Sequence, residues 1–266
     1  MQIIILENPE QVAKNATQWI SELFSKRTHP ILGLATGSTP INLYQELVKS
    51  YQQEKLDFSK VTTFNLDEYH NIAPENAQSY RTFMKENLFD RVNIDQENTH
   101  LPTCNNEQNP RWQGLAYEEK IKQAGGIDLQ ILGIGGNGHI GFNEPTSSLS
   151  SRTRLKTLTE QTLVDNSRLF NADEYQPTMA MTMGIATILD AKHVILMATG
   201  KNKAKAIKEM ITGPVTAMCP ASALQMHENA IILLDEEAAS ELPNQQYFQR
   251  VDSEHQKIRD KYGLFL

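Results

Sequence analysis

The stretch Gly133-Ile-Gly-Gly-Asn-Gly-His-Ile-Gly-Phe-Asn-Glu-Pro145 places an amide, an imidazole and a carboxylate, Asn137, His139 and Glu144, within eight residues of one another. Imidazole changes charge near neutral pH, and a nearby carboxylate can orient it, so the chemistry these groups share is proton transfer. Gly133, Gly135 and Gly138 also fit the dinucleotide pattern G-x-G-x-x-G. That pattern needs a helix to open there, and His-Ile-Gly-Phe-Asn-Glu-Pro is a poor opening. A tight glycine turn with an incidental histidine is the plain alternative. The density of proton-handling groups exceeds what such a turn needs.

A second acid lies elsewhere, in Asn65-Leu66-Asp67-Glu68-Tyr69. Adjacent residues of an extended segment point to opposite sides, so one of the two acids faces a pocket. Asp67 is the better candidate, with capping of the next helix or exposure to solvent as the alternative.

Three places could hold an anion. Thr36-Gly37-Ser38-Thr39-Pro40 joins an apolar run to a periodic segment, with Thr39 as N-cap and Pro40 as first helical residue, so hydroxyls and N–H groups would gather at a helix start. No Gly-Lys-Ser/Thr ending follows, which excludes a nucleotide P-loop. Lys201 and Lys203 precede a helix over 204–211, where the helix dipole disfavours cations unless an anion is bound. Arg152, Arg154 and Lys156 alternate through Ser147 to Thr157, which reads either as an anion site or as an edge strand protected by charge. Arg168 stands alone.

The elements that must carry these groups follow from periodicity. Residues 2–6, 30–35, 61–66, 127–134, 193–198 and 231–234 read as strands. Residues 9–26, a segment after Pro40, 79–88, 114–124, 204–211 and 243–266 read as helices. Tyr80, Phe83, Met84 and Leu88 share one face, expected in the core. The Met-rich segment 177–189 is expected to be a core helix, and 93–110 a polar loop. Alternation of some six strands with helices predicts a doubly wound, mostly parallel α/β sheet in a single domain over 1–266, its crevice at the carboxyl ends of the strands.

Composition narrows the partners. The 266 residues carry 25 Lys and Arg against 32 Asp and Glu, a net charge of −7, which argues against nucleic-acid or anionic-membrane surfaces. Cys104 and Cys219 are far apart and the seven histidines form no H-E-x-x-H pattern, so neither a disulfide framework nor a metal site is expected. With no signal peptide or long apolar span, a cytoplasmic protein is expected.

Ala35 to Pro40, Phe64 to Tyr69, Gly133 to Pro145 and Ser151 to Thr157 together resemble the glucosamine-6-phosphate deaminase family, and the likeness runs over essentially the whole chain. It implies a Rossmann-like fold and conversion of glucosamine 6-phosphate and water to fructose 6-phosphate and ammonia, without a cofactor. Position by position, Asp67 matches the base that moves the proton between two carbons, and His139 oriented by Glu144 the group that opens the sugar ring. Asn137 stands where some members carry Asp; an amide can orient but cannot take a proton. Thr36, Gly37, Ser38, Thr39, Arg168 and Lys203 match phosphate-binding positions. Ser147, Arg154, Lys156, Thr157 and Tyr247 match the site where allosteric members bind N-acetylglucosamine 6-phosphate between subunits of a hexamer. The rivals are a 6-phosphogluconolactonase, which needs no base for carbon deprotonation, and a sugar-phosphate sensor without turnover.

Overall fold

The computed structural model describes residues 1–167 and 176–263. Its larger sheet holds seven parallel strands: β1 (Gln2–Leu6), β2 (Ile31–Leu34), β3 (Thr62–Asn65), β5 (Thr99–His100), β6 (Leu129–Leu132), β9 (His193–Ala198) and β10 (Ala230–Asp235). Their spatial order is β1-β10-β9-β6-β2-β3-β5. A smaller antiparallel sheet joins β4 (Asp67–Tyr69), β8 (Met179–Thr182) and β7 (Arg154–Thr157), with β8 in the middle.

The parallel strands are near-continuous apolar runs because both faces are covered. On β9, Val194, Leu196 and Ala198 enter one apolar layer while Ile195 and Met197 enter the other. One layer is closed by α4 (Pro110–Ala124), through Tyr117 and Ile121, and by α7 (Ala204–Thr212), through Ala206, Ile207 and Met210. The other is closed by α1 (Pro9–Lys26), through Val12, Ala16, Trp19, Ile20 and Leu23, and by α2 (Thr39–Gln52), through Leu43, Tyr44, Leu47 and Val48. α8 (Gln245–Tyr262) packs on the edge strand β1.

β2 and β6 are neighbours, yet the chain leaves β2 towards β3 on one side and β6 towards β9 on the other. This reversal opens a crevice at their carboxyl ends, where doubly wound sheets hold ligands. The turn after β2 and the glycine loop after β6 therefore face each other.

Several expected elements differ. The Met-rich segment is strand β8 followed by the short helix α6 (Ile185–Leu189), because its alternation serves a sheet: Ala180 pairs with both Tyr69 and Lys156, and Met181 and Met183 are fully buried. Residues 93–110 hold the short strand β5 as a seventh parallel member. The N-cap of α2 is Ser38, with Thr39 already helical. Among the described residues, no helix is long and apolar enough to cross a membrane.

Candidate active site

The crevice is a cleft of about 500 Å³ lined by the β2–α2 turn, Asp67, the first turns of α3 (Tyr80–Asn87), the glycine loop and Lys203. Of the expected site residues, Thr36, Gly37, Ser38, Thr39, Asp67, His139 and Lys203 line it. Arg168 lies outside the described residues. Asn137 and Glu144 stand behind His139 and bond to it.

That second rank is tightly defined. His139 Nδ1 lies 2.7 Å from Asn137 Oδ1 and 3.3 Å from Glu144 Oε2. Asn137 Nδ2 donates to Glu144 Oε2 at 2.8 Å, which fixes the amide orientation, since a carboxylate only accepts. Two oxygens facing Nδ1 require it to carry the proton, leaving the lone pair on Nε2. Glu144 Oε1 accepts from the Thr162 hydroxyl at 2.6 Å. Burial alone would raise the Glu144 carboxyl; the hydrogen bond and charge of His139, with Thr162 and Asn137, outweigh it and hold the group at about 2. Gly135 lies directly beneath the imidazole: a Cβ there would collide with the ring of His139.

Asp67 is held differently. β3 ends at Asn65 and β4 starts at Asp67, so the chain changes sheets between the two acids' strand and its predecessor. Asp67 faces the cleft, and Glu68 turns away to accept from the backbone N–H of Tyr80 (2.9 Å) and Arg81 (3.0 Å) at the start of α3. Burial, followed by the charge of Glu68, pushes Asp67 up to about 8; the Thr182 hydroxyl and the Phe142 N–H pull the other way. At Gly141, with φ +56°, a Cβ would lie 3.1 Å from both Asp67 Oδ2 and Thr182 Oγ1, so only glycine lets the loop come this close.

At the far end, the Ser38 side chain makes no capping bond to α2, and the first-turn N–H groups of a helix have no acceptor within it. They open on the cleft beside Thr36 and Lys203. This part of the wall offers N–H donors and a lysine, opposite in character to the buried acids.

Tyr80 and Phe83, expected in the core, line the cleft instead, together with Phe142, Gly141 and Thr162. The stripe on α3 signalled burial correctly for Met84 and Leu88 but could not separate a core wall from a cleft wall. Among the described residues, no group of three or more His, Cys, Asp or Glu is placed to hold a metal ion.

The basic segment splits. Arg152 pairs with Glu118 and Asp190, so it leaves the expected cluster. Arg154, Lys156 and Thr157 lie on β7, where Arg154 donates to Asn143 Oδ1 at 2.9 Å. Ser147 is buried, its N–H donates to Glu144 O at 3.0 Å, and its Oγ has no partner among the described residues. Tyr247 is not gathered with them: it is exposed on α8, which packs against β1 of the other sheet.

The family described as glucosamine-6-phosphate isomerases/6-phosphogluconolactonase matches residues 7–233. The chain belongs to that family. Its enzymes include a glucosamine-6-phosphate deaminase of Colwellia psychrerythraea, 67% identical over 265 residues, covering 100% of this chain and 99% of the relative. One of Pseudoalteromonas translucida is 56% identical with the same coverage. Among solved structures, a monomeric glucosamine-6-phosphate deaminase superposes with a TM-score of 0.87 at 37% identity, over 91% of this chain and 100% of that one. A 6-phosphogluconolactonase of Trypanosoma cruzi, at 21% identity, TM-score 0.72 and coverage of 91% and 96%, shares the fold. This family member is an enzyme, and the fold is the family's Rossmann-like one.

Proposed function

We propose that the protein, as one domain over 1–266, converts glucosamine 6-phosphate and water to fructose 6-phosphate and ammonia. The observation that carries this reading is Asp67: a buried carboxyl pushed up to about 8, on the wall of the cleft that His139 also lines. A lactone hydrolase needs no such group, because it removes no proton from carbon. Near-full-length identity to relatives named as deaminases supports the same choice.

The phosphate takes the turn Thr36 to Thr39 with Lys203 and Arg168, which fixes the sugar's reacting end against the acids. His139 Nε2 takes the proton of the C1 hydroxyl and returns one to the ring oxygen, unmasking an aldehyde; Asn137 and Glu144 hold the ring in the required tautomer. Asp67 then removes the now acidic C2 proton and delivers it to C1 through an enolamine. The imine left at C2 takes up water and expels ammonia. The substrate's ammonium group beside Asp67 favours the carboxylate over the acid, so binding itself readies the base.

The role of N-acetylglucosamine 6-phosphate belongs to the same proposal: it activates the enzyme by binding Ser147, Arg154, Lys156 and Thr157, with Tyr247 supplied by a neighbouring subunit of a hexamer. The position of Tyr247 on α8, which packs on β1 rather than on the sheet that holds β7, supports a site shared between chains. The setting would be cytoplasmic amino-sugar catabolism. The test is release of ammonia and fructose 6-phosphate from glucosamine 6-phosphate, with and without the acetylated sugar. Stoichiometric ammonia supports the reaction, and a sigmoidal curve turned hyperbolic supports the effector site. Lactone hydrolysis without ammonia would overturn the deaminase reading, and a monomer with unchanged hyperbolic curves would overturn the effector site.

A further inference from the structure

We propose that Thr182 is the positioning residue for the proton acceptor of this cleft, its hydroxyl holding the Asp67 carboxylate so that one oxygen lone pair stays aimed at the substrate. The inference rests on the reading of Asp67 as the base. Thr182 is fully buried at the end of β8, directly in register with Asp67 on β4. Its Oγ1 accepts from Phe142 N–H at 3.1 Å, and the cross-strand pairing sets it on the same side as the Asp67 carboxyl. Oγ1 and Asp67 Oδ2 both lie within 3.1 Å of the point where a Gly141 side chain would begin, so glycine loop, hydroxyl and carboxyl meet at one spot.

The hydroxyl has one proton; Met183 O lies 3.4 Å away, and the carboxyl of the paired Asp67 stands on the same side. When Asp67 is ionised the proton belongs to the carboxylate; when Asp67 is protonated it can turn to Met183. A methyl group in place of the hydroxyl would favour the acid form and free the carboxyl to rotate. The charged or titratable groups around Asp67 are Glu68 on its own strand, Tyr80 on α3, Tyr117 on α4, and His139 and Lys203 on the cleft wall. Thr182 differs from all of these in being paired with Asp67 across the strands and in sharing with its Oδ2 the spot above Gly141, with the Phe142 N–H fixing its oxygen.

The same residue is in register with Arg154 on the other side of β8. Thr182 thus lies between the acceptor and the basic strand, with one strand's width on either side.

The test is the pH dependence of kcat and KM for T182V, which keeps shape and removes the donor, and for T182S, which restores it. For T182V we expect kcat at pH 7 to fall about tenfold, KM to stay within about twofold, and the acid limb of the profile to rise by roughly one unit. T182S should return both the rate and the limb to near their original values. If T182V does not fold, Thr182→Cys, which loses the methyl group but keeps a weaker donor at the same place, should show the same direction of change when compared with T182S. A folded T182V with the original limb and rate would overturn the proposal, as would T182S failing to restore them. Asp67→Asn separates the two levels: an active D67N removes the base reading and this inference together, while an inactive D67N beside an unchanged T182V removes the inference alone.

Discussion

Two buried carboxylates border the same cleft, and the protein treats them in opposite ways. Glu144 is surrounded by donors, His139, Asn137 and Thr162, and is held as a fixed negative charge at about 2. Asp67 has burial and the charge of Glu68 against it, and is pushed to about 8. Environments that separate two acids this far divide labour between them: one keeps its charge and orients, the other exchanges protons near neutral pH. The difference lies in what the chain places beside each acid, since the side chains differ by one methylene.

Their effects on stability also run in opposite directions. Asp67 keeps its proton in the fold up to about 8, whereas the unfolded chain releases it near 3.8, so this group withdraws stability as pH rises between those values. Glu144 contributes stability above its unfolded value of 4.5, and that contribution is lost as pH falls through about 2.

Asp67→Asn should break the comparison most severely. Ammonia release should fall by roughly 10²–10⁴-fold with KM little changed. The same variant should melt higher at pH 7 to 8, where about 1 kcal/mol recovered raises Tm by roughly 2–4 °C. A melt that drops instead would mean the buried charge is not the liability described. Glu144→Gln comes next: with its NH2 turned to the Thr162 hydroxyl it can still accept from Asn137 and His139, but the negative charge that anchors His139 is gone. Turnover should fall about 10–100-fold, and the acid side of the stability profile should flatten. Activity equal to the parent would show that Asn137 alone orients the ring.

Gly141→Ala sharpens the Asp67 side. A Cβ at 3.1 Å from two oxygens, on a backbone with φ +56°, should cost about 1–3 kcal/mol and lower kcat by about tenfold, read by denaturant melts and initial rates. Smallest is Glu68→Gln. Removing this charge should move the acid limb of the rate profile downward by less than about one unit. An unmoved limb would leave burial as the sole cause of the shift.

The larger sheet was legible because strands covered on both faces write themselves as apolar runs, such as Val194 to Ala198. The crevice followed, since the groups that end those runs must meet at one edge. The smaller sheet was hidden. β4 begins after a single residue beyond β3 and lasts three residues, and the Met179–Met181–Met183 spacing suits a strand but was outweighed by overall apolarity typical of a helix. With that sheet unseen, Thr182 carried no signal, because a threonine opposite an acid is visible only once the pairing is known. Alternation of an extended chain showed that one of Asp67 and Glu68 must face away, but which one is decided by the N–H groups of Tyr80 and Arg81, which hold Glu68. The Glu144 environment was not legible, since Thr162 reaches it from eighteen residues away.

β1 forms first in the chain and finds its partner strand last. It pairs with β10, it is covered by α8, and the side chain of Gln2 reaches Asp252 at 3.1 Å. During synthesis, then, Ile3, Ile4 and Ile5 have no strand to join until Ile232, Leu233 and Leu234 have followed. This edge of the sheet closes only across a long sequence separation, the kind of pairing that slows folding. A circular permutant that moves β1 and α1 behind α8 would let each half of the sheet close in the order it is made.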